Sequence, residues 1–273
     1  GYTDYYFRLT SVKEIVPQEK RVITEIGILN YEYLVIATGS KTNYFGNKEI
    51  ERYAMAMKTI PQSLNIRSLI LENFEQAVLT QDPEEQNALM NFVLVGAGPT
   101  GVELAGALAE MKKAILQKDY PDLDISKMQI NLIQSGDRIL NTMSEKSSVA
   151  AEKYLTELGV RVLKNIRVTN YDGRTITTNT GESFDSATVI WTAGVQAAHL
   201  PGINPDATQK GSNRYKVNTF NQVLGYDNIF AIGDIAAMES TEYPQGQPMM
   251  AQPALQQGEH LANNLANIIR KKP

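Results

Sequence analysis

Residues 91–106 read NFVLVGAGPTGVELAG. The apolar run 92–95 predicts a buried strand, and it stops at Gly96-Ala97-Gly98-Pro99-Thr100-Gly101. Beyond the glycines, Leu104, Leu108, Met111 and Ile115 recur at a 4-3-4 spacing, which predicts a helix over about residues 100–117. G-x-G-x-x-G set between a strand and a helix is a dinucleotide-binding pattern with a physical basis. Gly96 permits the tight turn, Gly98 lets the backbone approach a pyrophosphate, and Gly101 lets helix and strand pack closely. The helix N-terminus, at Pro99 and Thr100, adds partial positive charge for the anion. A tight strand–helix turn that holds no ligand competes with this reading. Three glycines at these offsets, however, weaken a helix for no gain in packing.

Downstream, QINLIQ (129–134) reads as a strand, residues 144–158 as a helix and VRVLKN as a strand. IRVTNYDGRTITTNTGESFD carries turn signals at Asp172-Gly173 and Asn179-Thr180-Gly181 and predicts a β-meander; ATVIWTAG then returns as a buried strand. Upstream, residues 61–89 carry apolar positions at helical spacing, and the acidic QDPEE loop ends that helix. Residues 41–60 read as a linker. The order is one complete nucleotide-binding unit over residues 61–198.

The flanks, residues 1–60 and 199–273, hold a hairpin around PQEK and strands in YEYLVIATG, YKVNTFNQV and NIFAIGD. They end in a helix, MAQPALQQGEHLANNLANIIRKK, with Pro253 near its first turn and basic residues at its end. Neither flank has enough strands for a domain, so the two are expected to pair across the insertion. The fold class is α/β, with a Rossmann-like domain inserted into a second α/β domain.

Composition narrows the function. A formal net charge of −4, with no basic cluster interleaved with aromatics, gives no footing for nucleic acid. The chain has no cysteine, which removes disulfides, thiolate metal sites and a cysteine nucleophile. His199 and His260 stand in no metal-ligand spacing, so no metal site is expected. No apolar run approaches the ~18–20 residues of a spanning helix, and the stretch GYTDYYFRLT does not read as a signal peptide.

Several polar residues could carry further chemistry. A dinucleotide site asks for an acid at the end of its second strand, to hold the adenosine ribose; here that residue is Gln134. Glutamine keeps a hydrogen-bonding group without repelling a 2′-phosphate, so use of both NADH and NADPH is expected, unless Gln134 is simply a polar strand end. Glu103 is either a carboxylate on the helix dipole or one that faces a redox centre. Asp234, after Gly233, suits a sugar hydroxyl or a helix cap. Gln252, Gln256 and Gln257 surround a helix N-terminus that could stabilise a negatively charged reduced ring, or they are solvated.

Taken in order, YEYLVIATGS, VLVGAGPTGVELAG, VIWTAGV, NIFAIGD and MAQPALQQGEHLANN resemble the two-dinucleotide flavoproteins over nearly the whole chain. Within that family the long connection at 112–128 and AQPALQQG are most similar to the type II NADH dehydrogenases (NADH:quinone oxidoreductases). The resemblance implies an NAD(P)H domain (61–198) inserted into an FAD domain whose parts here are 1–60 and 199–273. It implies FAD, poorly bound by this fragment, and NADH or NADPH as cofactors, with reducing equivalents passing from NAD(P)H through flavin to a quinone. By resemblance Thr38, Gly39, Gly233 and Asp234 approach FAD, whereas Gly96, Gly98, Gly101 and Gly194 hold NAD(P)H. Glu103 faces nicotinamide and flavin, and Gln252, with Gln256, lies by the flavin ring and the quinone headgroup.

Two departures qualify the match. Family members begin with a first G-x-G-x-x-G loop for the FAD adenosine diphosphate, and nothing before Thr38 plays that part. They also continue past the last helix into a region that completes the quinone site and meets the membrane, whereas this chain stops at Lys271-Lys272-Pro273. The expectation is therefore a soluble fragment of a cytoplasmic protein held on the inner face of the membrane, with a homodimer among the assemblies to test. A flavin reductase with another acceptor, and an NAD(P)H-binding module without turnover, remain open.

Overall fold

The computed structural model describes residues 5–270. The GYTD start and the basic Lys271 and Lys272 lie outside the described residues. The chain divides into two compact units, Thr42–Val195 and the pair Gly1–Lys41 with Gln196–Pro273.

The inserted unit is built on a five-stranded parallel sheet. Its spatial order is Met55–Ala56, Thr188–Trp191, Asn91–Val95, Gln129–Ile133 and Arg161–Leu163. Residues 91–95 are buried throughout, because the sheet is covered on both faces. Phe92 and Leu94 pack with Ile66, Ile70 and Phe74 of the helix Ile60–Leu79 and with Leu108 of the helix Pro99–Met111. Val93 and Val95 turn the other way, to Ile50, Val168, Tyr171 and Ile176. That second face carries the expected meander, Val168–Tyr171, Thr175–Thr178 and Ser183–Asp185, and its turns use Gly173 and Gly181 at positive φ.

Three expectations need correction. Residues 41–60 are not a linker: Asn47 caps a helix, Lys48–Tyr53, through the N–H groups of Glu49 and Ile50, and Met55–Ala56 forms the edge strand beside Ile190 and Trp191. Elements of six and two residues are too short to show a period. The unit therefore starts at Thr42 rather than residue 61 and ends at Val195. QDPEE also does more than end a helix, because Asp82 caps a second one, Pro83–Leu89, with Pro83 at its start. Finally, the helix after the glycine loop changes to a π-helical turn, Lys112–Leu116, before Gln117–Asp119.

The other unit has its own core of Ile15, Ile36, Tyr215, Val217, Ile229 and Ile235. A three-stranded antiparallel sheet (Val12–Val16, Arg21–Thr24, Gly27–Asn30) forms the hairpin region. Leu34–Ile36 pairs in parallel with Ile229–Ala231, so the segments before and after the insertion meet strand to strand, as expected. The C-terminal helix is Ala251–Ile269.

Candidate functional site

The glycine loop leaves the sheet at the level where Val95 stands opposite both Ile133 and Trp191. Gly96 has φ +106°, and a Cβ there would lie 2.5 Å from the nitrogen of Ala193. A Cβ on Gly101 would come within 2.0 Å of the Gly96 carbonyl oxygen and 2.8 Å of Thr192 Oγ1. These two glycines are thus required by the packing of loop, helix and strand. Gly98 differs: its φ is −74°, and a Cβ would meet nothing within 4 Å. It is the N-cap of Pro99–Met111, and no side chain caps that helix. The N–H groups of the first turn are therefore offered past Gly98, beside space that the loop does not need for itself. A pyrophosphate fits such a cradle.

A cavity of about 510 Å³ opens next to the loop, at the C-terminal ends of the strands. Sheet order reverses here, since the strands that follow Asn91–Val95 in sequence are added first on one side and then on the other. Ligands of parallel α/β sheets bind at such a switch point. Gln134 lines the cavity, and its Oε1 accepts from the N–H of Ala97 at 3.0 Å. Its carbonyl oxygen is thus engaged with the loop, a role that neither reading of the strand end foresaw.

Trp191 and Phe45 form another part of the wall, with ring centroids 6.5 Å apart. Trp191 Nε1 donates to the carbonyl of Asn43 at 3.0 Å, and the Asn43 N–H donates to the carbonyl of Gly194 at 3.2 Å. Gly194 has φ +78°, and a Cβ there would press on the Phe45 ring at 2.6 Å. Sequence reading missed Phe45, Trp191 and Arg167, which reach this cavity from three distant segments. The one local signal, Phe45-Gly46 ahead of a capping Asn47, was hidden in the supposed linker. Thr100 and Glu103 are exposed on the helix.

In the other unit, Thr38 and Gly39 follow one strand of the parallel pair and Gly233 and Asp234 the other. Thr38 Oγ1 donates to the carbonyl of Ala198 at 2.8 Å, and Gly39 turns at φ +67°. Ser40 Oγ donates to Asp234 Oδ2 at 2.6 Å, so the structure brings these two strand ends together. The Gly233 N–H donates to Oε1 of buried Gln257 at 2.7 Å, and Gln257 Nε2 donates onward to Gln247 Oε1 at 2.8 Å. Of the three glutamines at the start of the last helix, Gln257 is therefore structural, whereas Gln252 and Gln256 are exposed.

Buried Arg214, another residue that the sequence did not signal, donates to the carbonyls of Ala236 and Gln247. Burial lowers its pKa, and the charge of Asp234 opposes that shift. His199 packs on the ring of Tyr215 at 4.8 Å, and burial lowers its pKa. His260 Nε2 lies 2.9 Å from the carbonyl of Thr219.

Comparison with known families matches residues 2–258 to the pyridine nucleotide-disulphide oxidoreductases. The chain belongs to this family. With no cysteine, these 273 residues hold no counterpart of the disulphide in the family's description. The chain is similar to the type II NADH:quinone oxidoreductase Ndh of Mycobacterium tuberculosis, at 34% identity over 86% of this chain and 51% of the relative. It is also 34% identical to the external alternative NAD(P)H-ubiquinone oxidoreductase B1, mitochondrial, of Arabidopsis thaliana, over 77% of this chain and 38% of that protein. Among solved structures, NDH2 from Plasmodium falciparum in complex with NADH aligns with a TM-score of 0.78 at 25% identity, covering 85% of this chain and 50% of that one. The chain thus spans about half the length of the first two curated relatives it matches. The α/β fold and the resemblance to type II NADH dehydrogenases both agree with these findings. Among the described residues no helix is long and apolar enough to cross a membrane.

Proposed function

We propose that the inserted unit binds NAD(P)H and that the flanking unit holds part of an FAD site, within a protein that passes electrons from NAD(P)H to a quinone. The observation that carries this reading is the glycine loop itself, where Gly96 and Gly101 are fixed by contact while Gly98 is left beside open space. The uncapped helix would hold the pyrophosphate, and the cavity at Gln134 would take the adenosine. FAD, when bound, would supply the two-electron acceptor for the dinucleotide. Thr38, Gly39, Gly233 and Asp234 would hold it from their adjacent strand ends.

Glu103, exposed on the loop helix, would orient the nicotinamide. Exposed Gln252, with Gln256, would meet the flavin ring and the quinone headgroup at the start of the last helix. Gln134 in place of an acid leaves room for NADPH beside NADH. In the whole protein a C-terminal region would meet the inner face of the membrane, and a homodimer is the assembly to test.

Mixing the chain with excess FAD, desalting it and recording the visible spectrum tests the reading. FAD is expected to be held weakly by this partial site, and whatever flavin bands survive desalting should bleach on addition of NADH or NADPH. A colourless protein that still binds NADH would reduce the reading to a dinucleotide-binding module without turnover. Failure to bind either nucleotide would sink it.

A further inference from the structure

We infer that Arg167 makes the adenosine end of this cavity selective for a dinucleotide that carries a 2′-phosphate. The inference rests on the dinucleotide reading of the site and goes beyond it by naming the residue that recognises the phosphate. Among the described residues that line the cavity, Arg167 is the one charged side chain, and no carboxylate joins it. Its near neighbours in the wall are uncharged, at Gln134, Ser135 and Thr169.

Backbone geometry brings Arg167 to the end of the second strand. The N–H of Ile166 donates to the carbonyl of Gln134 at 3.1 Å, and the N–H of Asn165 donates to that of Gly136 at 2.9 Å. Residues 165–167 therefore run alongside residues 134–136, where a ribose-binding acid would otherwise stand. Arg167 itself is held at both backbone groups by Asn179: its N–H donates to Asn179 Oδ1 at 2.7 Å, and its carbonyl accepts from the Asn179 N–H at 2.9 Å. A fixed backbone thus carries an exposed side chain. Among the described residues, no carboxylate pairs with its guanidinium.

Glu49 and Glu51 stand on the neighbouring helix but do not line the cavity, and Glu49 accepts from Asn170 Nδ2 at 2.5 Å. A planar guanidinium with no carboxylate to neutralise it, beside a glutamine in place of an acid, favours a dianionic phosphate over a bare hydroxyl.

The test uses two redox-inactive probes, ADP-ribose and 2′-phospho-ADP-ribose, titrated into the full chain by calorimetry and by the fluorescence of Trp191, its single tryptophan, in the cavity wall. The phosphorylated probe is expected to bind roughly tenfold tighter or more, as charge-assisted contacts imply. Arg167→Gln should erase that preference, weakening the phosphorylated probe far more than ADP-ribose, while Arg167→Lys keeps part of it. The inference is overturned if the wild-type chain shows no preference, if Arg167→Gln retains it, or if Arg167→Gln weakens both probes equally. Each of these results leaves the dinucleotide reading standing, because ADP-ribose still binds the wild-type chain. Binding of neither probe to the wild-type chain overturns both.

Discussion

Gly96 and Gly233 each follow a parallel strand and turn at positive φ, +106° and +72°, yet their surroundings differ. At Gly96 the backbone of Ala193 occupies the space a side chain would need, and the helix that follows has no side-chain cap. At Gly233 the nearest atom to an added Cβ is Ala254 Cβ at 3.6 Å, an ordinary contact. There the turn is tied by side chains, with Gln257 on its N–H and Ser40 on Asp234. The first turn is rigid through steric fit and offers its donors outward. The second is held by hydrogen bonds, with which a ligand must exchange partners. Glycines that look alike in sequence are thus separated by what arrives from elsewhere in the chain.

The largest effect expected from this contrast is at Gly101. Gly101→Ala places a methyl 2.0 Å from the Gly96 carbonyl oxygen, so the helix must move off the loop. Overpacking of this kind costs about 1–3 kcal/mol, occasionally more. The urea midpoint should fall and ADP-ribose binding should be lost together. Gly233→Ala faces only the left-handed backbone cost of about 1–2 kcal/mol. If it proves the more damaging of the two, the contrast is broken.

Gly98→Ala separates folding from binding. Its backbone angles suit alanine and the new methyl meets nothing, so stability should change by less than about 1 kcal/mol, the difference at an N-cap. The same methyl enters the space where the backbone would approach a pyrophosphate. ADP-ribose affinity should fall roughly tenfold or more, the scale of lost contacts to a charged group. Unchanged affinity would remove the pyrophosphate from this loop.

What the sequence allowed to be read follows from the range of each signal. Strand 91–95, the glycines and the helix after them carry their pattern within about twenty contiguous residues, so their roles are local in sequence. The meander was legible because Gly173 and Gly181 mark its turns. The helix Lys48–Tyr53 and the strand Met55–Ala56 were not, since neither spans two full helical turns or an alternating run. In the site, the clamp from Gln134 to Ala97 and the tie from Gln257 to Gly233 join residues 37 and 24 positions apart. Composition shows a glutamine at each place, but only tertiary structure decides whether its amide is free. That is why Gln252, Gln256 and Gln257 looked equivalent as a run and are not.

The glutamines sharpen the comparison at smaller scale. Gln257→Leu would leave the half-buried Gly233 turn without its acceptor and should cost about 1–3 kcal/mol in urea unfolding. Gln256→Ala, at an exposed position of the same helix, should stay within about 0.5 kcal/mol. Equal costs would mean that the Gly233 turn does not depend on its side-chain tie.

The effect expected at Gln134 concerns charge rather than loop geometry. Glutamate presents a carboxylate oxygen where Gln134 Oε1 now accepts from the Ala97 N–H, so Gln134→Glu should keep the clamp. What it adds is a negative charge in the cavity wall. At an effective dielectric of about 20, such a charge about 6–8 Å from a phosphate costs roughly 2–3 kcal/mol before screening by salt, or at least tens-fold in affinity. NADPH binding should therefore weaken more than NADH binding, whose ribose hydroxyls can donate to the new carboxylate. Gln134→Ala supplies the control: it removes the acceptor for Ala97 and should weaken both nucleotides alike. Equal losses in Gln134→Glu would assign this side chain to the loop alone and leave discrimination between the nucleotides to other residues.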